Sequence, residues 1–306
     1  MSSSTKINLE ENIQANVQRI MQTRVDTCRK ALTHAPSHEA IHQARKELKK
    51  IRAIVRLVRP HLGEEAYREA NHYFRDAARL ISDARDVTAS EETATKLQSV
   101  LSSRRDRQAI EQFKRHLQAK KAAITRYQVQ RDHLLESVLE ALVDAEQFYR
   151  SWAITEEGFE ALSPGIRKIY KQCVKRQKKA YAEDTPEGFH QWRKSVKYLR
   201  YQIDALSTLW PGMLGALESE LNLLTDYLGD DHDFYVLQGI LQQHEAIRPE
   251  TLRSLNRHIE QRRSILQHSA KVLSDKLFYP KSNHFVEPIA HCWRVEAENI
   301  EIPIIT

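Results

Sequence analysis

One segment of this chain occurs twice, and the repeat limits what the chain can fold into. The pattern H-Q-x-R-K-x-x-K-x-x-R runs from His42 to Arg52 and again from His190 to Arg200, once in each half of the 306 residues. An internal repeat of this kind indicates a duplicated structural unit. Because most of the repeated residues are cations rather than core residues, the repeat also favours a duplicated anion site.

A scarcity of turn-forming residues predicts that the duplicated unit is helical. The 8 Gly and 9 Pro in the chain are too few for the turns between many short strands. Apolar residues recur at the spacing of one helix face through most of the chain. We therefore predict an all-α fold. The predicted helices cover about residues 8–33, 38–59, 64–82, 87–102, 105–150, 165–182, 187–209, 213–228, 233–245 and 249–275.

The same order of elements occurs on both sides of a boundary near residues 163–165. Each side has a helix, a break, the motif helix, a turn with Pro and Gly, and further helices. Short connections favour antiparallel neighbours, so we predict two antiparallel helical bundles, at residues 1–150 and 155–280. Residues 281–306 contain two prolines and are predicted to form an extended C-terminal tail that packs on the bundles.

Charge and cysteine content limit the partners and the compartment. With 47 Lys and Arg, 41 Asp and Glu, and an isoelectric point of about 9.1, an acidic partner such as nucleic acid, an anionic membrane or a phosphate polymer is favoured. Cys28, Cys173 and Cys292 form no CxxC pair and are predicted to be buried reduced thiols, which is typical of cytosolic proteins. We see no apolar signal core and no apolar run near the ~20 residues that span a bilayer. We therefore expect a cytoplasmic chain without a membrane span.

Both motif helices separate into an apolar face and a cationic face on a wheel of about 100° per residue. In the first copy the cationic arc holds Arg45, Lys49, Arg52, Arg56 and Arg59, with His42 and Lys46 beside it. The second copy has Arg193, Lys197 and Arg200, with His190 and Lys194 beside them. Its ladder is shorter because Asp204 occupies the position of Arg56. The predicted packing faces are Ala44, Leu48, Ile51, Val55 and Val58 in the first copy, and Trp192, Val196, Leu199, Ile203 and Leu206 in the second.

Two further helices extend the basic surface. The helix before the second motif carries Arg167, Lys168, Lys171, Lys175, Lys178 and Lys179 on one side, and the third helix carries a stripe of Arg68, His72, Arg75 and Arg79. Cations one helical turn apart repel each other, and Glu47 is the only acid between residues 42 and 60. A rise of about 5.4 Å per turn places the cations near the spacing of phosphates in a linear chain. The pattern therefore favours a polyanion ligand over a merely solvated face.

Some residue types in these helices have two interpretations. His42 and His190 either donate hydrogen bonds to phosphate or hold the helix geometry. The nearby tyrosines are expected in the core or at its rim rather than as stacking platforms; they are Tyr170, Tyr181, Tyr198 and Tyr201.

Beyond these faces, the chain resembles the CHAD family, the conserved-histidine α-helical domain. The two H-Q-x-R-K-x-x-K-x-x-R segments carry the resemblance, which covers roughly residues 8–280. Residues 79–87, RLISDARDV, resemble the family's R-x-L-G-x-x-R-D-x-D-V stretch, and 228–233, LGDDHD, its second-half equivalent. The basic segment 165–181 resembles the helix that opens the family's second half. The chain departs from the family pattern at Ile81, where Gly is usual, and at Asp83 and Asp231, which add acid.

The resemblance implies two bundles related by pseudo-twofold symmetry around a central basic groove or pore that binds inorganic polyphosphate. Many relatives are fused to a triphosphate-tunnel (CYTH) catalytic domain, whose Glu-x-Glu-x-Lys signature is absent here. We therefore expect a stand-alone binding module that is not an enzyme, needs no cofactor and associates with polyphosphate granules. The expected polyphosphate-binding residues are His42, Arg45, Lys46, Lys49, Arg52, Arg56, Arg79, Arg85, Arg167, Lys171, Lys175, Lys178, Lys179, His190, Arg193, Lys194, Lys197 and Arg200.

Two other functions stay open. A metal-dependent polyphosphate or phosphate-ester hydrolase could use His72 with Asp76, or His232 with its neighbouring carboxylates, although no Gly-rich phosphate loop or HExxH motif occurs. Those carboxylates are Asp226, Asp230, Asp231 and Asp233. Non-specific nucleic-acid binding is the other function, but aromatic residues are not interleaved with the cationic stripe in sequence. We therefore expect nucleic acid to compete weakly with polyphosphate.

Overall fold

The computed structural model describes residues 3–33, 38–81, 83–126 and 128–301, with side chains at 4–33, 39–81, 89–119 and 135–300. All regular structure in these ranges is helical, so the predicted all-α class is confirmed. The helices are α1 Ile13–Thr33, α2 His38–Leu57, α3 Arg59–Leu80, α4 Asp83–Val100, α5 Arg104–Arg126, α6 Gln128–Arg150, α7 Ser163–Glu183, α8 Pro186–Ala205, α9 Pro211–Gln242, α10 Pro249–Leu277 and α11 Ser282–Glu301. None of the helices in these ranges has the length and apolar character needed to cross a membrane.

The two motif helices, α2 and α8, pack directly against each other at the centre of the fold. The packing faces predicted for them are confirmed, because all ten of their apolar residues are buried. On one side α2 contacts α1 and α3, which both contact α6. On the other side α8 contacts α7 and α9, and α9 contacts α10. One hydrophobic cluster runs through both groups, and the Gln202 amide donates to the Ala53 carbonyl oxygen across it.

Helices α4 and α5 form a hairpin whose apolar side packs on the second half of the chain. A separate hydrophobic cluster joins Leu97 and Phe113 of this hairpin to Phe234 and Leu237 of α9 and to Ile259 of α10. Both hydrophobic clusters contain residues from the two halves of the chain. They therefore do not test the predicted boundaries at 1–150 and 155–280 or the pseudo-twofold relation, which stay predictions.

One long helix, α9, replaces the two helices predicted over 213–228 and 233–245, so the predicted break between them is wrong. Gly229 lies between the two predicted helices. It lies inside α9, where a Cβ atom would come within 2.7 Å of the Arg193 guanidinium. The glycine therefore provides space for an arginine of α8 rather than ending a helix.

The prediction of an extended C-terminal tail is also wrong, because residues 282–301 form helix α11. Val286, Ile289 and Trp293 recur at helical spacing and are buried, and α11 packs on α7. Burial of this apolar face offsets the backbone hydrogen bond that Pro288 cannot donate inside the helix. Pro303 lies outside the described residues.

Other local predictions agree with the structure. Gly63 has a φ of 73° and produces a kink near the start of α3, where a turn was predicted. Cys28, Cys173 and Cys292 are free and buried, and burial raises the pKa of each thiol. Glu47 of the first motif is buried against α1. Its carboxylate accepts from buried Arg24 of α1 at 2.8 Å.

A close backbone approach near the start of α7 joins it to the end of α2. A Cβ atom at Gly165 would lie 1.9 Å from the carbonyl oxygen of Leu57. We expect Gly165→Ala to lower the free energy of unfolding by about 1–3 kcal/mol, since the added Cβ atom fits only if α7 or the motif helix α2 shifts. Chemical denaturation measures this change.

Gly215→Ala in α9 is the matched control, because nothing lies within 4 Å of its missing Cβ atom. This variant should gain about 0.5–1 kcal/mol from helix propensity. Equal effects of the two substitutions would contradict the close approach at Gly165.

Candidate anion-binding site

A cavity of about 990 Å³ lies along the cationic faces of α2 and α8 and is completed by α3 and α7. Fourteen Lys and Arg side chains line it, and among the described residues no carboxylate side chain does. The lining cations are Arg45, Lys49, Arg52, Arg56, Arg59, Arg75, Arg79, Lys168, Lys171, Lys175, Arg176, Arg193, Lys194 and Lys197. The two ladders predicted on separate helices therefore face one shared space.

Helix α8 is fixed at its start by a local cap. The Thr185 hydroxyl accepts from the Gly188 backbone N–H at 3.2 Å, and Pro186 occupies the first helical position. Behind the cavity, Trp192 is fully buried. Capping and burial together set the rotation of α8, which points His190, Arg193, Lys194 and Lys197 into the cavity.

Eleven of the eighteen predicted site residues line this cavity. They are Arg45, Lys49, Arg52, Arg56, Arg79, Lys171, Lys175, His190, Arg193, Lys194 and Lys197. The side chain of Arg85 lies outside the described residues. Six others do not line the cavity: His42, Lys46, Arg167, Lys178, Lys179 and Arg200.

Ion pairs on other surfaces account for two of those six. The Arg200 Nε atom donates to the Glu218 carboxylate of α9 at 2.5 Å. The Lys179 ammonium lies 3.6 Å from Glu183 on the exposed side of α7. The basic side of α7 is therefore wider than the part that faces the cavity.

Several cavity residues were absent from the predicted site. Arg59, Arg75 and Lys168 belonged to recognised stripes but were not assigned to it. Arg176 was missed, although it follows Lys168 at the i+8 position and so lies on the same helix face. Its Nη1 atom donates to the Gln191 carbonyl oxygen at 2.9 Å and to Ser195 Oγ at 2.7 Å, which joins α7 to α8.

Aromatic rings lie among the cavity cations, although aromatic residues are not interleaved with the cationic stripe in the sequence. The guanidinium carbon of Arg56 is 3.9 Å from the centroid of the Tyr198 ring, and that of Arg59 is 4.0 Å from the Tyr67 ring. Tyr170, by contrast, is a buried core residue, as expected. The stack of Arg56 on Tyr198 was missed because it joins two helices, and that of Arg59 on Tyr67 because its residues lie on the two sides of the kink at Gly63 in α3.

Burial in the cavity disfavours the charged form of some of these cations. Desolvation lowers the pKa of Arg52, Arg176 and Lys194, and neighbouring cations lower each of them further. A cavity with this charge attracts anions, because its low-dielectric walls focus the field.

His190 reaches the cavity and stacks on His232 of α9, with ring centroids 4.2 Å apart. Burial, with smaller contributions from His232, Lys194 and Arg193, lowers the pKa of His190 to about 4, and Glu187 partly opposes the shift. Burial and Arg193 also lower the pKa of His232, against Asp233. The pair is therefore uncharged near neutral pH.

Three of the five carboxylates proposed for metal binding pair with cations. Asp230 pairs with Lys96 at 2.6 Å, and Asp231 pairs with Arg263 at 3.0 Å, facing α10. Asp76 pairs with Arg75 at 2.9 Å. In the part of the chain that the structure describes, no three His, Cys, Asp or Glu residues come together as metal ligands.

These features define an all-α protein with a cationic cavity between two repeated helices. The CHAD domain matches residues 19–242, more than half of the chain, and the chain therefore belongs to the CHAD family. Its fold is similar to that of PptA from Streptomyces chartreusis, with a TM-score of 0.60 and 14% identity over 88% of this chain and 100% of that chain. At this identity the similarity supports the fold alone. No curated protein matches the chain significantly.

The low pKa of His190 predicts a pH dependence of stability. Between pH 6.5, the ordinary value, and about 4, the unfolded chain binds a proton that folded His190 does not. The stability that neutral His190 contributes is therefore fully present above pH 6.5, and it is lost as the pH falls from 6.5 towards about 4. We expect His190→Gln to lose less stability than the wild type between about pH 7 and pH 5.

Urea unfolding at both pH values measures the difference. His268→Gln, at an exposed position on α10, is the control and should follow the wild type. An identical loss in the wild type and in His190→Gln would contradict the interpretation.

Proposed function

We propose that this protein binds inorganic polyphosphate in the cavity between α2 and α8 without consuming it. The observation that carries the proposal is the convergence of fourteen cations from four helices on one space that no described carboxylate enters. A ligand with many negative charges at regular spacing fits such a surface. Family membership adds support, because the CHAD resemblance implies the same ligand.

The size and chemistry of the cavity favour a polymer over a single phosphate. Its volume of about 990 Å³ far exceeds one phosphate group, and its cations extend over several helical turns. Arginines bind phosphate oxygens through paired N–H groups, and lysines act as mobile point charges. A linear chain of phosphates can engage both types along its length.

Nucleic acid is a poorer ligand for this cavity. Proteins bind single strands partly by stacking bases on exposed aromatic rings. Here the Tyr67 and Tyr201 rings are buried, and guanidinium groups lie over the rings of Tyr67 and Tyr198. A base therefore finds little free aromatic surface, and we propose that nucleic acid competes with polyphosphate only weakly.

The proposal includes no catalytic step. Phosphoryl transfer requires metal-binding carboxylates aimed at the same phosphate as the cations. The candidates Asp76, Asp230 and Asp231 are paired with Arg75, Lys96 and Arg263 instead. A binding module of this kind suits a protein that stays in the cytoplasm and associates with polyphosphate granules.

Charge reversal inside the cavity tests the proposal. Lys49→Glu combined with Lys197→Glu should weaken binding of long-chain polyphosphate by at least about a hundredfold, because each change removes a charge-assisted hydrogen bond and adds repulsion. Fluorescence anisotropy with end-labelled polyphosphate measures the affinity.

The charge-matched control is Lys178→Glu combined with Lys179→Glu, on the exposed side of α7 and outside the cavity. It changes the net charge equally and should retain most of the affinity. Equal losses in both double variants would show that net charge, not the cavity, governs binding.

A second test separates binding from hydrolysis. The protein is incubated with long-chain polyphosphate and Mg²⁺ or Mn²⁺, and free phosphate and chain length are followed over time. We expect the chain length to stay unchanged and no phosphate to be released above the protein-free control. Release that disappears in the Lys49→Glu, Lys197→Glu variant would favour the hydrolase instead.

A further inference from the structure

The two copies of the motif differ at the positions that complete the cavity. Arg56 of α2 corresponds to Asp204 in the second copy, and Tyr198 of α8 corresponds to Lys50 in the first. Asp204 accepts from Lys6, and Lys50 pairs with Glu47 at 2.8 Å, so neither of them lines the cavity. Each copy thus supplies a cavity residue that the other copy lacks.

These two unmatched residues contact each other. The guanidinium carbon of Arg56 lies 3.9 Å from the centroid of the Tyr198 ring, and that of Arg52 lies 5.8 Å from it. The Arg56 Nη1 atom donates to the Arg52 carbonyl oxygen at 2.8 Å, and the Arg52 Nε atom donates to Asn71 of α3 at 3.2 Å. Hydrogen bonds and the ring therefore restrain two successive arginines of the ladder.

Electrostatics explains why restraint is needed. The other cavity cations repel Arg56, and a long unrestrained side chain would turn towards water and sample many rotamers. The negative face of an aromatic ring attracts a guanidinium most strongly where water is excluded. A restrained arginine keeps its outer N–H groups available and loses less entropy when a ligand arrives.

We propose that Tyr198 is a positioning residue for polyphosphate, whose ring holds Arg56 and Arg52 of the other motif copy in place before the ligand binds. This role rests on the proposed function of the cavity. It acts through the arginines, so its effect on affinity depends on Arg56 being present.

A double-mutant cycle tests this dependence. Tyr198→Leu should weaken polyphosphate binding about three- to thirtyfold, the range expected for a partly buried cation–π contact. Tyr198→Phe keeps the ring and should stay within about twofold of the wild type. In an Arg56→Ala background, Tyr198→Leu should cost at most about a further twofold, because the main group that it positions is gone.

Two controls separate positioning from structure. Tyr235→Leu removes a ring that lies 5.3 Å from the guanidinium carbon of Arg263, outside the cavity, and should leave affinity unchanged. NMR of the Arg56 side-chain Nε–H group reports the stack without ligand. Its ring-current shift should be lost in Tyr198→Leu and kept in Tyr198→Phe.

The outcomes distinguish this inference from the function on which it rests. A wild-type protein that does not bind polyphosphate overturns both. Wild-type binding with an equal loss from Tyr198→Leu in both backgrounds overturns the positioning role alone. So does an unchanged affinity in Tyr198→Leu, or an Arg56 Nε–H shift that does not respond to removal of the ring.

Discussion

Mutual repulsion among the cavity cations is the constraint that the rest of the structure has to satisfy. Fourteen basic side chains of the described residues face one space, and desolvation already lowers the pKa of several of them. Packing behind the cationic faces holds the helices in place. Trp192 of α8 and Leu48 of α2 are fully buried, and the Gly165–Leu57 contact fixes α7 against α2. Buried Arg24 pairs with Glu47, so the acid of the first motif neutralises a cation elsewhere.

The sequence predicts best what depends on helical periodicity. The packing faces of α2 and α8 and the cationic ladders beside them follow from spacing alone, because each face lies on one helix. Errors arose where a residue serves a distant neighbour. Gly229 resembles a break in the local sequence, but it makes room for Arg193 of α8. Pro288 suggests an extended tail, but the burial of Val286 and Trp293 keeps it in a helix.

In the candidate site, too, the residues on one helix face could be predicted and the contacts between distant residues could not. Arg45, Lys49, Arg193 and Lys197 could be placed from the repeat, and the structure brings them into one cavity. The stack of Arg56 on Tyr198 could not, since it joins positions at which the two copies differ. A search for residues that both motif copies share does not find such pairs. Comparing the copies at their points of difference would have pointed to both residues, although not to their contact.

The α4–α5 hairpin has a consequence for the synthesis of the chain. Leu97 and Phe113 belong to the first half, but their hydrophobic cluster is completed by α9 and α10, which leave the ribosome much later. Domains commonly fold in order from the N-terminus as they emerge. Here the apolar side of the hairpin stays uncovered until more than a hundred further residues have been made. The early product of translation therefore exposes an apolar surface that the finished protein buries.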